Sequence, residues 1–154
     1  DHVKAFNNYN DALLLYPDTS TFYARGVFYM SVNYYQKANN DFNSAIYLDN
    51  NNIPAYFFRG ISSFFLGKYQ KALEDFSTAV QFDATDFDAV LGVALANLKL
   101  NDIANAKLNF DKAKSIIRGT DISQEDNLEL FKNTYWFQKQ YYAFRDLYNE
   151  ISKL

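Results

Sequence analysis

The chain has no cysteine and a single histidine, His2, in 154 residues. Without thiols there can be no disulfide, thiolate zinc site or cysteine nucleophile. The redox compartment stays open, because a cysteine-free chain folds in either setting. One histidine at the amino-terminal end leaves no internal imidazole for acid–base or triad chemistry. Five glycines and two prolines exclude collagen-like and loop-dominated scaffolds. There is no glycine-rich phosphate loop and no G-K-[ST] sequence, since Gly67-Lys68 has the wrong neighbours. A net charge of −3 lacks the basic excess that phosphate neutralisation needs, so no nucleic-acid partner is expected. No apolar run approaches the ~20 residues that span a bilayer, so no membrane insertion is expected. Asp1-His2-Val3-Lys4 shows neither a start methionine nor a signal-peptide pattern, which suggests a processed or excised piece. No catalytic residue, cofactor or metal is expected. A soluble chain is, with a cytoplasmic setting preferred.

Aromatic residues, by contrast, are abundant: 13 Tyr, 15 Phe and one Trp bring the aromatic share to 19% within a 49% hydrophobic total. That apolar surface suffices for one domain and excludes a disordered chain. It is also periodic. Ala38, Ala72 and Ala106 lie 34 residues apart, as do Phe42, Phe76 and Phe110, and Ala45, Ala79 and Ala113. Gly26, Gly60 and Ala94 supply a small residue in the same register. Each unit reads as two helices, the first near 20–33, 54–67 and 88–101, the second near 36–49, 70–83 and 104–117. Ala, Phe and Ala at i, i+4 and i+7 form one apolar stripe on the second helix. Asn33, Gly67 and Asn101 stand between the helices, where a left-handed residue ends the first. Asn52 and Asp86 read as N-caps, and Pro54 falls in a first turn, where its missing N–H costs nothing. The small residue lets two helices approach closely while the facing Phe fills the gap.

A 34-residue helix–turn–helix unit with this small/aromatic/small spacing resembles the tetratricopeptide repeat family. The run Tyr56-Phe57-Phe58-Arg59-Gly60, followed by Gly67-Lys68-Tyr69-Gln70-Lys71-Ala72-Leu73-Glu74-Asp75-Phe76, carries the resemblance best. Tyr35, Ala38, Phe42 and Ala45 repeat it, and the third copy departs with Val90 and Ile103. Upstream, Ala5, Tyr9 and Ala12 repeat the second-helix stripe one residue short, with no first helix before it. The resemblance implies an all-α right-handed helical-hairpin solenoid of about nine helices. Its parts would be a half repeat at 1–18, repeats at 19–52, 53–86 and 87–120, and a degenerate repeat or cap at 121–154. In that last stretch, Ser123-x-x-Asp126 reads as a capping box opening a helix with Leu128, Phe131 and Tyr135 on one face. A final helix from about 139 carries Phe144, Leu147, Tyr148 and Ile151. Terminal solenoid units must hide an apolar face, which accounts for the deviation.

Charged residues follow the repeat too. Arg25 and Arg59 share one position, Asp41 and Asp75 another, and both change together to Val93 and Asn109 in the third copy. Joint loss points to an ion pair between the two helices of a repeat, because either partner alone would be costly to bury. Asp83, Asp86 and Asp88 cluster at a repeat junction but lack the order of a calcium loop, so helix capping is the better reading. Lys107, Lys112, Lys114 and Arg118 form the densest basic group and read as a solvated helix face.

In the resembled family, first helices line a concave surface that meets a partner. Mapped onto this chain, that groove presents Tyr23, Val27, Met30, Phe57, Ile61, Phe64, Phe65, Leu91, Leu95 and Leu98. The Lys/Asn/Arg set with which some relatives hold a carboxyl-terminal peptide is absent. The expected function is a protein-interaction scaffold or adaptor whose apolar groove receives a protein or peptide segment, such as an amphipathic helix. The alternatives are a self-associating structural module and a non-catalytic regulatory domain of a larger protein. Burial of the groove between neighbouring first helices is the competing structural reading. Tyr135, Trp136, Phe137, Tyr141, Tyr142 and Phe144 crowd the last segment, and consecutive aromatics on a helix cannot all face one way.

Overall fold

Alternating short helices and tight turns account for almost all of the computed structural model, which describes residues 1–121 and 123–154. The described residues form nine α-helices and one 3₁₀ helix, with no strand. They divide into two compact units, Asp1–Thr78 and Ala79–Leu154. The first contains α1 (His2–Leu15), α2 (Thr19–Ser31), α3 (Tyr35–Leu48), α4 (Ile53–Phe65) and most of α5 (Tyr69–Phe82). The second contains α6 (Phe87–Lys99), α7 (Ile103–Arg118), the 3₁₀ helix Leu128–Phe131, α8 (Tyr135–Lys139) and α9 (Tyr141–Ile151).

The predicted punctuation is in place. Asn52 and Asp86 accept hydrogen bonds from the backbone N–H groups of Ala55 and Ala89, capping α4 and α6. Asp18 and Asp102 do the same for α2 and α7. Each such cap contributes about 1 kcal/mol by satisfying an otherwise orphaned N–H. Asn33 and Asn101 both take φ 61°, and Gly67 takes φ 75°, so the turns inside the hairpins are left-handed as expected.

In the first unit, α2 lies on α3 with Gly26 directly over Phe42. A Cβ at Gly26 would stand 2.6 Å from the Phe42 ring, and one at Gly60 would stand 2.8 Å from the Phe76 ring. The absence of a side chain is what allows these aromatics to be wholly buried. In the second unit, Phe110 stacks on Phe131 with centroids 5.5 Å apart, and Phe144 meets Phe131 edge-on at the same separation. Trp136, Phe131 and Phe144 are fully buried.

The last segment corrects one expectation. Ser123 and Asp126 do not form a capping box. The N–H and hydroxyl of Ser123 both donate to Asp121, Asp126 accepts from Lys114 at 3.0 Å, and no helix begins at either residue. The first turn starts instead at Leu128 under Asn127 and is 3₁₀, and Tyr135 opens a separate helix capped by Thr134. Helix α9 carries Phe144, Leu147, Tyr148 and Ile151, as anticipated. Of the crowded aromatics, Trp136 and Phe144 enter the core while Tyr142 is exposed.

Candidate interaction surface

The first helices place the anticipated groove residues in two environments. Met30, Phe57, Ile61, Phe64, Leu91 and Leu95 are buried. The Phe57 ring packs on Phe58 and Phe76 at 5.3 and 5.8 Å, and Phe64 on Phe65 and Tyr69 at 5.5 and 5.2 Å. These six side chains serve the core, so the open apolar face expected of them is not what the structure has. With no polar residue at Ile61 or Leu95 to favour solvent, the apolar surface is removed from water instead. Tyr23, Val27, Phe65 and Leu98 keep partial exposure. Of these, Tyr23 packs on Phe42 and Phe58 and Phe65 stacks on Tyr35, leaving Val27 and Leu98 as the smaller side chains of the half-buried set.

The arginines are structural. Arg59 donates from Nε and Nη2 to the two carboxylate oxygens of Asp75 at 2.8 and 2.7 Å, and Arg25 grips Asp41 with the same two lengths. These bidentate bonds raise both arginines above their usual range despite partial burial. The basic group on α7 is largely neutralised. Lys114 bridges Asp111 and Asp126, Arg118 reaches Asp126 at 3.6 Å, and Lys107 donates to the Leu154 carbonyl.

The aspartates at the α5–α6 junction divide by role. Asp86 caps α6, and Asp83 accepts from the N–H and hydroxyl of Thr85. Asp88 accepts the Tyr135 N–H at 2.7 Å, while its own carbonyl accepts from the Trp136 indole at 3.2 Å. Burial pushes the Asp88 carboxyl up to about 7; the Tyr135 N–H opposes the rise and the nearby Asp86 charge adds to it. No group of three or more His, Cys, Asp or Glu residues with metal-binding geometry occurs among the described residues. No helix among them is long and apolar enough to cross a membrane.

One feature escaped sequence reasoning. Exposed apolar side chains gather on second helices: Leu14 and Leu15 at the end of α1, Tyr47 and Leu48 at the end of α3. Tyr47 is 89% exposed and helps line an open depression with Phe22, Asn43, Ser44 and Leu48. The signal was present, since Leu14/Tyr47 and Leu15/Leu48 each lie 33 residues apart. It stands outside the stripe that packs the hairpin.

Comparison with known proteins agrees with this architecture. Residues 19–52, which are α2, α3 and the turn that follows, match the tetratricopeptide repeat model. The helical hairpins of this chain are of the tetratricopeptide-repeat kind. Among solved structures, MamA is 20% identical over 99% of this chain and 84% of its own, with a TM-score of 0.76. PcrH in complex with the chaperone binding region of PopB is 21% identical over 73% of this chain and 87% of its own, with a TM-score of 0.63. The first such domain of Spaghetti (RPAP3), bound to an HSP90 peptide, is 16% identical over 88% of this chain and 94% of its own, with a TM-score of 0.65. No curated protein sequence matches the chain.

Proposed function

We propose that this chain is a non-catalytic protein-interaction module, a scaffold or adaptor that binds a segment of a partner protein and has a cytoplasmic setting. The observation that carries the reading is the repeat-hairpin fold, shared with PcrH and the RPAP3 domain, both solved with bound protein segments. The contact surface is narrower than an apolar groove ten residues long. Within the first unit it draws on the half-buried Tyr23, Val27 and Phe65; within the second, on Leu98. Half-exposed apolar side chains of this kind suit a partner that supplies a few apolar anchors within a polar sequence.

A displayed library of short peptides, selected on the purified chain, tests this. Selected peptides should bind the wild type and lose affinity about tenfold or more against Val27→Asp or Leu98→Asp at unchanged Tm. Selection that yields no saturable binder, or binders indifferent to both substitutions, overturns it. Phe57→Asp and Phe64→Asp are unsuitable reporters. A buried charge there unfolds the hairpin before any contact is tested.

A further inference from the structure

The hairpins of the first unit end in two edges of opposite charge. One edge gathers the start of α2, the end of α3 and the start of α4. There Thr19 donates to the Ala45 carbonyl at 3.0 Å, and Asn52 donates to Thr19 at 3.1 Å. Residues 16–24 and 43–58, which build this edge, contain Asp18 and Asp49 and neither lysine nor arginine. At the other edge the turns after α2 and α4 come together, with Lys68 donating to Gln36 at 3.5 Å. Residues 31–40 and 64–73 contain Lys37, Lys68 and Lys71 and neither aspartate nor glutamate. The next carboxylate, Glu74, lies further along α5. Between the edges, Arg25 pairs with Asp41 and Arg59 with Asp75. The edges stand a helix length apart, about 20 Å for the 13 residues of α2.

Each edge also presents apolar surface. On the acidic edge Tyr47 and Leu48 are exposed beside the half-buried Phe22. On the basic edge an open depression is lined by Tyr34, Tyr35, Lys37 and Leu66. Tyr34 is exposed there, and the Lys37 ammonium lies 5.4 Å from its ring centroid. The α2–α3 hairpin carries both surfaces and packs on α1 before it and on α4 after it. Neither edge is bare for want of a neighbouring helix, and apolar surface rimmed by charge marks an interface.

We propose that the acidic edge of one copy of this chain docks on the basic edge of a second copy, with Tyr47 entering the depression beside Tyr34. Charge complementarity sets the occupant, because the chain carries both halves of the contact. Asp18 and Asp49 of one copy face Lys37 and Lys68 of the next, whereas like edges would set carboxylate against carboxylate or lysine against lysine. Exposed ion pairs add little affinity, so the aromatic contact supplies the attraction and the charges fix its orientation. The two surfaces differ and lie at opposite ends of the hairpins. Association is therefore head to tail and leaves an edge free on each terminal copy. These edges are separate from the first-helix positions of the proposed function and do not depend on them.

Sedimentation of the whole chain at low ionic strength should show a mass that rises with concentration beyond a dimer. Salt at about 1 M, where the screening length is about 3 Å, should weaken the association. Tyr47→Ala removes the exposed anchor of one edge, and the double variant Lys68→Glu/Lys71→Glu reverses the charge of the other. Each should be monomeric at unchanged Tm. Mixed, the two should form a dimer and nothing larger, because each retains the edge that the other needs. Val27→Asp should associate as the wild type does. A wild-type mass independent of concentration, association by either edge variant alone, a mixture that stays monomeric, or loss through Val27→Asp overturns the proposal.

Discussion

Arg59 holds Asp75 through two parallel hydrogen bonds of 2.8 and 2.7 Å across the α4–α5 hairpin, with the carboxylate side chain 8% exposed and the guanidinium 24%. Burial raises the Asp75 carboxyl against the pull of the arginine, so desolvation dominates at this site. A buried pair of this kind adds little net stability, but breaking it from one side leaves a charge uncompensated. Arg59→Val should therefore destabilise the chain by about 3 kcal/mol. Asp75→Asn should cost less, because the partly exposed arginine can turn to water. The double variant reproduces Val93 and Asn109 of the third hairpin. It should be more stable than the sum of the singles implies by at least about 1 kcal/mol. Additive urea midpoints would refute the coupling.

Gly60→Ala tests the close approach in the same hairpin. The new methyl would lie 2.8 Å from the Phe76 ring, whose side chain is fully enclosed and has nowhere to retreat. A loss of about 1–3 kcal/mol is expected from overpacking, although alanine is the better helix former. The paired variant Gly60→Ala/Phe76→Leu should recover part of it. Thermal melts of the three variants check the order.

Asp88 gives the second unit a pH dependence of known sign. Its carboxyl titrates at about 7 when folded and near the ordinary 3.8 when unfolded. Between those values the folded chain holds the proton that the unfolded chain has released, so rising pH favours unfolding. The contribution of Asp88 to stability should be fully present below about pH 4, fall as pH rises, and be lost above about 7. Asp88→Asn retains an acceptor for the Tyr135 N–H and removes the titration. Tm of the wild type should fall relative to this variant between pH 5 and pH 8; parallel profiles would show that Asp88 is not responsible.

The left-handed turn residues make a sharper pair of substitutions. Asn101 sits at φ 61°, a conformation that costs an ordinary L-residue roughly 1–2 kcal/mol. Asn101→Gly should be neutral or slightly stabilising, and Asn101→Val should lose about 1–2 kcal/mol. Equal melting temperatures for the two variants would contradict this.

The hairpins were legible because their signals are local. Asn52 and Asp86 as caps, and Asn33, Gly67 and Asn101 as turns, each act within a few residues of where they stand. The Gly/Phe and Arg/Asp pairings were legible for another reason, since a repeat shows each contact more than once. The groove was less so. Tyr23, Val27 and Leu98 remained at the surface while Met30, Phe57, Ile61, Phe64, Leu91 and Leu95 did not, and both sets fit the same helical spacing. At 123–127 the capping-box reading failed because Ser123 bonds back to Asp121 and Asp126 pairs with Lys114, twelve residues away, so the first turn forms only at Leu128.

Sequence alone determined the period, the helical class and the turn chemistry, because each depends on residue type and spacing along one chain. Tertiary structure alone decided which apolar side chains are left for a partner. Burial depends on how neighbouring helices close over a face, and no residue carries that information by itself. Helix α1 shows the difference most plainly. Its Ala5, Tyr9 and Ala12 repeat the stripe of α3 in sequence, yet only Ala38, Phe42 and Ala45 are fully enclosed, with Gly26 of α2 lying over Phe42.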